Sequence, residues 1–424
     1  MKQCSPTVRL VFGAPPPKTF FVLAAIAGTG CGNAVESSGI PDPAASDDGG
    51  SADQEASAEA GTMGPGTDAG TDASSVVTTL DAATHSTGPT PTAGLHIEGG
   101  KFVYGGRPTR LLGVNHSGSE YQCLSSGIFE GPDADTIANG VLSWGAINTI
   151  RVPLNEDCWL GINGVNPQYS GAAYRDAVMS YVAKLHAHGL FTIVDLHWNA
   201  PGSFLANGQQ PMADADHAID FWKSVASTMK GDGMTVFDLY NEPYLDSSNA
   251  QTSDPWSCWL NGCTVTGGGR GGVSGSWQSA GMQALVDAVR STGATNVLMV
   301  GGLNFSDDLT QWLTHVPNDP LHQVAASLHA YGGGPCAVSS CWSQVLEPIA
   351  AQYPIVTGEL GEYDCGHSFI DDFLKWADKA GVSYVPWTWN TWDCGSGPSL
   401  ISDYDGTATA FGEGYRQHLQ AARP

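Results

Sequence analysis

Two carboxylic acids in this sequence stand at the ends of apolar runs. Asn241, Glu242 and Pro243 close the run VFDLY, and Gly358 and Glu359 close PIVT. A hydrophobic strand that ends on an acid holds it at a fixed place on the rim of a core, and Pro243 stops the ladder from pairing onward. Two acids held in this way can divide their work, one protonated to help a leaving group depart and one ionised to attack. Glu362, three residues beyond Glu359 in GELGE, competes for the second role. The apolar run stops at Glu359, so Glu362 reads as a loop acid. Other polar and aromatic groups end similar runs: Asn115 and His116 in LLGVNH, Arg151 in INTIRVP, His197 in LFTIVDLHW, His329 and Tyr331 in LHAY, and Trp387 in VPWTW.

The elements that carry these groups recur eight times. The short apolar runs are RLLGVN, INTIRVP, LFTIVDLHW, TVFDLYNEP, NVLMVGG, VAASLHAY, PIVTGE and VSYVPWTW. Between most of them lie stretches of helical periodicity, at 172–188, 215–229, 276–291 and 368–380. Gly189 and Gly381 stand where helix C-caps belong. Eightfold strand–helix alternation predicts a (β/α)8 TIM barrel, in which chemistry gathers at the C-terminal ends of the strands. An open doubly wound sheet would favour a glycine-rich phosphate loop after the first strand, and GVNHSGSEY has no GxGxxG. GGGRGG, at 267–272, follows no strand and reads as a loop. Ahead of the barrel, LHIEGGKFVYGGRPTRL alternates around Gly-Gly turns and predicts a small β-hairpin.

The chain carries a net charge of −25, which argues against nucleic acid or anionic lipid as a partner. Residues 1–31 read as an export signal: Lys2, Arg9 and Lys18, then the apolar run TFFVLAAIA, then small residues up to Cys31. Cys31 resembles the lipidated residue of a bacterial lipoprotein, although Gly28 stands where such sites carry Leu. An ordinary secretory signal is the other reading. Residues 32–94 have ten acids and no Lys or Arg, and are rich in Ala, Ser, Thr, Gly and Pro. They cannot bury a core, and predict a disordered linker. The folded domain is then 95–424. Its eight cysteines, an even number in an exported chain, predict disulfides. Cys258–Cys263 and Cys336–Cys341 would each close a short loop. Cys123 with Cys158, and Cys365 with Cys394, lie beyond neighbouring strand tips. The first strand has no His-x-His and the chain no CxxC, so neither metal nor other cofactor is expected.

The pieces LLGVN, IRVPL, VDLHWNAPG, DLYNEP, LHAY, TGELG and VPWTWN, in this order over nearly all of 95–424, resemble glycoside hydrolase family 5, which includes many cellulases. The resemblance implies a retaining β-glycanase with Glu242 as acid/base and Glu359 as nucleophile. It implies that Asn241 bonds the sugar 2-hydroxyl, that Arg151 and Tyr331 hold Glu359, and that His197 and His329 bond sugar hydroxyls or the carboxylates. Trp387 would lie under the sugar ring, with a cis peptide bond to Thr388. Asn115 and His116 are expected among the substrate-binding groups, His116 as a wall. Trp144, Trp222, Trp277, Trp312 and Trp376 fall in helical stretches and are expected in the core. Trp159, Trp198, Trp256, Trp259, Trp389 and Trp392 fall in loops as candidate sugar platforms. The activity implied is an endo-β-1,4-glucanase on a polysaccharide or oligosaccharide, acting as a monomer. Mannanase, xylanase, exo-β-glucosidase and a surface glycan-binding protein are the alternatives.

Overall fold

The computed structural model describes residues 94–268, 272–394 and 397–421. The export signal, Cys31, all but the last residue of the linker and part of GGGRGG lie outside the described residues.

Eight parallel strands form the centre: β4 (Gly113–Asn115), β5 (Thr149–Asn155), β6 (Phe191–Trp198), β7 (Thr235–Asp238), β10 (Leu298–Gly301), β11 (Val324–Tyr331), β12 (Ile355–Gly361) and β13 (Ser383–Tyr384). They are hydrogen-bonded in chain order. A bridge between Leu112 and Tyr384 brings the last strand back to the first. Tyr384 N to Leu111 O at 3.0 Å and Asn115 N to Pro386 O at 2.9 Å complete that seam. The expected (β/α)8 barrel is present, and each of the eight apolar runs supplies one strand. β5 and β12 are buried along their whole length, as strands covered on both faces must be.

The helices Ala172–Ala187 and Ser368–Ala380 coincide with their periodic stretches. Gly189 and Gly381 after them have φ of 78° and 72°, a region glycine enters without penalty. The stretch 276–291 divides instead. Ser276–Gln278 forms β9, antiparallel to β8 (Thr264–Thr266), and the helix begins only at Met282. Trp277 is therefore in a strand, its indole donating to Gly267 O at 2.9 Å. At the N-terminal end of the barrel the expected hairpin gains a third strand: β1 (His96–Glu98), β2 (Lys101–Tyr104) and β3 (Arg107–Pro108). Both Gly-Gly pairs turn the chain, so two turns make three strands. Leu95 and Phe102 of this sheet pack with Phe191, Val236, Met299 and Val356 as a plug below the site.

All four expected disulfides form, Cys123–Cys158, Cys258–Cys263, Cys336–Cys341 and Cys365–Cys394. All lie in the loops at the C-terminal ends of the strands. These loops have an interior of their own. Within it, Glu156 and Asp214 are fully buried. Asp214 accepts from Asn199 Nδ2 and His217 N at 2.8 Å each. Burial, and then the charge of Asp214 beside it, push the Glu156 carboxyl well above its ordinary range.

Two outcomes follow from this packing. Replacing both Cys123 and Cys158 by Ser should lower stability to urea by roughly 2–4 kcal/mol, because the bond closes a long loop in the unfolded chain. Glu156, with its raised folded pKa, contributes stability that is complete below the ordinary carboxyl range and declines as pH rises. Glu156→Gln removes that dependence. The Tm of the variant minus that of the parent should therefore grow between pH 5 and pH 9; a constant difference would refute the buried neutral acid.

Candidate active site

Arg151 projects from β5 into the barrel with no exposed surface. Its Nη1 donates to Asn115 Oδ1 at 3.0 Å and to Glu359 Oε1 at 3.1 Å. Its Nη2 donates to Asn241 Oδ1 at 2.8 Å and lies 3.2 Å from Asp195 Oδ2. Its Nε donates to Asp238 Oδ2 at 3.2 Å. Burial works against its charge, but Asp195, Asp238 and Glu359 more than offset that and keep it cationic. Burial likewise pushes Asp195 and Asp238 upward, against the pull of Arg151. One guanidinium thus holds five groups from β4, β6, β7, β12 and the tip beyond β7. Because Arg151 binds the oxygen of Asn241, the amide NH2 of Asn241 faces the other way.

Glu242 and Glu359 meet in the mouth, where oxygens of both and a nitrogen of His329 lie within 4.8 Å of one another. Their surroundings differ. Glu359 faces Arg151 with one oxygen and accepts from the Tyr331 hydroxyl with the other, at 2.6 Å. Burial, then the charge of Glu359, push the Tyr331 hydroxyl well above its ordinary range, so it stays a donor. Glu242 lies 2.9 Å from His329 Nδ1 and accepts from Gln209 Nε2 at 2.9 Å. Burial pushes His329 down to about 3, so it is neutral. Glu359 therefore has a cation as its neighbour, while Glu242 has the neutral His329 and the Gln209 amide. The Glu242 side chain is also the more open, at 16% exposed against 6% for Glu359.

A register shift aims Glu359. Leu328 pairs with Thr357 but His329 pairs with Glu359, so Gly358 is an extra residue in β12. Such a bulge redirects the next side chain. A Cβ on Gly358 would lie 3.0 Å from Ser327 Oγ and 3.2 Å from His329 Nε2, and one on Gly361 would lie 2.9 Å from the Tyr331 ring. The glycines of TGELG make room for the side chains that flank the acid. Across the mouth, the Trp387 ring stacks on His197 at 5.7 Å and 15°, and His197 Nδ1 lies 2.8 Å from Asp195. Trp387–Thr388 is cis.

Several candidates lie elsewhere than expected. Asn115 is fully buried, and its NH2 donates to Gly358 O and Val385 O, so it ties strands together beneath the mouth. His116 points outward; its Nδ1 lies 2.8 Å from the Tyr181 hydroxyl, and burial pushes it down to about 4. It is packing, and not a wall of the cleft. Glu362 accepts from Ile370 N at 2.8 Å and anchors the start of the helix Ser368–Ala380. Trp159, Trp256, Trp259 and Trp389 are buried, Trp259 donating to Gly301 O, so none is an open platform. Trp198 and Trp392 are partly exposed. Asp195, Asp238 and Gln209 were missed. A charged residue amid apolar neighbours, as in TIVDL and TVFDL, was the available signal for the two aspartates.

Glu242, His329 and Glu359 have the ligand types of a cation site. Their oxygens and His329 Nδ1 are engaged by Gln209, Arg151, Tyr331 or one another.

The barrel is similar to several solved structures. Against a beta-glucanase from Saccharophagus degradans the TM-score is 0.58 at 21% identity, covering 81% of this chain and 99% of that one. A beta-mannanase from Streptomyces thermolilacinus gives 0.54 at 19%, covering 78% and 97%. An endocellulase from Pyrococcus horikoshii gives 0.57 at 19%, covering 78% and 99%. At these identities the likeness speaks to the fold. No curated protein matches in sequence. The family model described as Cellulase (glycosyl hydrolase family 5) matches residues 105–393, a span that takes in every strand tip from Asn115 to Trp387. By that match over more than half of its length, the chain belongs to glycosyl hydrolase family 5.

Proposed function

We propose that the protein is an exported, retaining endo-β-1,4-glucanase acting by double displacement. The observation that carries this reading is the unequal setting of two acids within 4.8 Å. A retaining mechanism needs carboxyls about 5 Å apart. Glu359, between a guanidinium and a hydroxyl donor, suits an ionised nucleophile. Glu242, between a neutral imidazole and an amide, suits an acid that gives up a proton and takes one back.

In the first step the Glu242 proton passes to the glycosidic oxygen as that bond breaks, and Glu359 forms an ester with the anomeric carbon. In the second, water loses a proton to Glu242 and attacks the same carbon, releasing Glu359. Asn241, its NH2 turned outward by Arg151, donates to the 2-hydroxyl. His197 supports Trp387 beneath the sugar. The four disulfides support an oxidising destination. Among the described residues no helix is long and apolar enough to cross a membrane. Export by residues 1–31, a lipid at Cys31, a linker over 32–94 and a monomeric state belong to the same proposal.

A β-mannanase is the second reading, because beta-mannanases stand beside glucanases among the similar structures. A glycan-binding protein on an inactive barrel has no use for two matched acids. Reducing-sugar release from a panel of soluble β-glucan, β-mannan and β-xylan decides the substrate, and retention is read by proton NMR of the first product.

Glu242→Gln and Glu359→Gln should each lower kcat on an unactivated glycan by roughly 10³-fold or more, with circular dichroism unchanged. Glu242→Gln should lose far less on a dinitrophenyl glycoside, whose leaving group needs no proton. Equal losses on both substrates would reverse the roles assigned here. Asn241→Ala should lower kcat by roughly 10²-fold with KM changed little, because the 2-hydroxyl bond strengthens in the transition state. A raised KM with kcat preserved would make the amide a mere wall of the cleft.

A further inference from the structure

The loops that leave the C-terminal ends of the eight strands hold, among the described residues, no Lys and no Arg. The cations stand elsewhere. Arg151 is enclosed within the barrel. Lys101 and Arg107 belong to the sheet at its N-terminal end. Lys184, Arg290 and Lys379 occupy the last turns of their helices, which run back to that same end. Arg175, in the first turn of the helix Ala172–Ala187, donates to Trp159 O at 2.7 Å.

Acids remain on the catalytic side, and three of them stand at the mouth. Asp307 follows a turn whose Phe305 N and Ser306 Oγ donate to Pro243 O and Asn241 O at 2.9 Å each, on either side of Glu242. Asp364 is exposed and lines a recess with Gly332 and Tyr363, whose ring stacks on Tyr331 at 5.3 Å. Glu130 accepts from Trp392 Nε1 at 2.8 Å, and the Trp392 ring lies 6.3 Å from that of Trp387. The donors to these acids are uncharged: Cys336 N for Asp307, Gly366 N for Asp364, and Tyr121, Asn390 and Trp392 for Glu130. Burial, and then the like charges of Asp308 and Glu242, push Asp307 up to about 7, against the pull of Cys336 N. The negative potential of the mouth is therefore not balanced where it arises. A cleft lined by one sign of charge concentrates chains of the opposite sign and repels those of its own.

We propose that the mouth selects glycans by charge, favouring a β-linked chain that is neutral or carries ammonium groups over the same chain carrying carboxylates. Asp307, Asp364 and Glu130 supply the field. The inference rests on the hydrolase reading and narrows the substrate class of that site.

The test holds the backbone constant. The soluble β-glycan that the enzyme cleaves is prepared in three lightly substituted forms: hydroxyethyl, carboxymethyl and quaternary ammonium. Near pH 7 and at about 0.01 M ionic strength, kcat/KM should be at least about tenfold higher on the ammonium form than on the carboxymethyl form, with the neutral form between them. In about 1 M sodium chloride, where charges are screened beyond roughly 3 Å, most of that gap should close. Asp307→Asn combined with Asp364→Asn should raise the carboxymethyl-to-neutral ratio at least about threefold, and the exposed change Asp364→Lys should raise it alone. Melting temperatures report any loss of fold. Equal rates on the three forms, a gap indifferent to salt, or a ratio unmoved in both variants would overturn the proposal. Calorimetry of the same three forms of soluble β-glucan and β-mannan on the Glu359→Gln protein separates it from the hydrolase reading. The same order of affinity in an enzyme inactive on every glycan would leave charge selection standing and defeat the hydrolase; no binding of any form would defeat both.

Discussion

The site depends on a single buried guanidinium. Arg151 has no contact with solvent, so its charge must be met inside the barrel, and Asp195, Asp238 and Glu359 meet it. A cation so enclosed is tolerable only when its hydrogen bonds are filled and its charge is balanced. Three acids around one cation are an excess, and burial eases it by favouring protons on the aspartates. Glu359, at the upper edge of the group, accepts from the same guanidinium through Nη1. The geometry that neutralises Arg151 therefore also orients Glu359 and Asn241.

Around this centre, difference matters more than proximity. Two carboxyls at this spacing repel if both are ionised. The fold separates their behaviour by giving Glu359 a cation and a phenol, and Glu242 an imidazole that burial keeps neutral. The bulge at Gly358 sets the alignment, turning Glu359 toward Tyr331 and His329. The loops above are a second packed layer, with the indoles of Trp159, Trp259 and Trp389 inside it and disulfides across it.

The barrel was legible because each strand announces itself as a short apolar run, and because polar residues at the ends of such runs have few other reasons to be there. Glu242, Glu359, Arg151, His329 and Tyr331 were found in this way and do converge. Asp195 and Asp238 were hidden because they sit inside strands, where a sequence does not reveal which face looks into the barrel. Asn115 and His116 were misjudged for the reverse reason: β4 is short, and its tip serves the seam with β13 and the packing against Tyr181. Of the loop tryptophans, Trp159, Trp256, Trp259 and Trp389 are buried because the loops carry elements of their own. Short helices at Glu156–Leu160 and Pro255–Asn261 give them a core. The stretch 276–291 mimics one helix only because a strand of alternating exposure runs into a helical period.

The sequence distances within the Arg151 cluster bear on how the chain becomes active. Its hydrogen-bonded partners stand 36, 87, 90 and 208 residues away along the chain. Until β12 docks, the guanidinium lacks Glu359, and until β13 docks, Asn115 lacks the carbonyl of Val385. Completion of the Arg151 cluster and closure of the ring thus depend on the same last two strands. A chain cut short before its seventh strand keeps Asp195 and Asp238 for Arg151 but lacks Glu359 and the strands that close the ring, so it has no complete site. A chain synthesised from its N-terminus cannot assemble this cluster until β12 and β13 have been made.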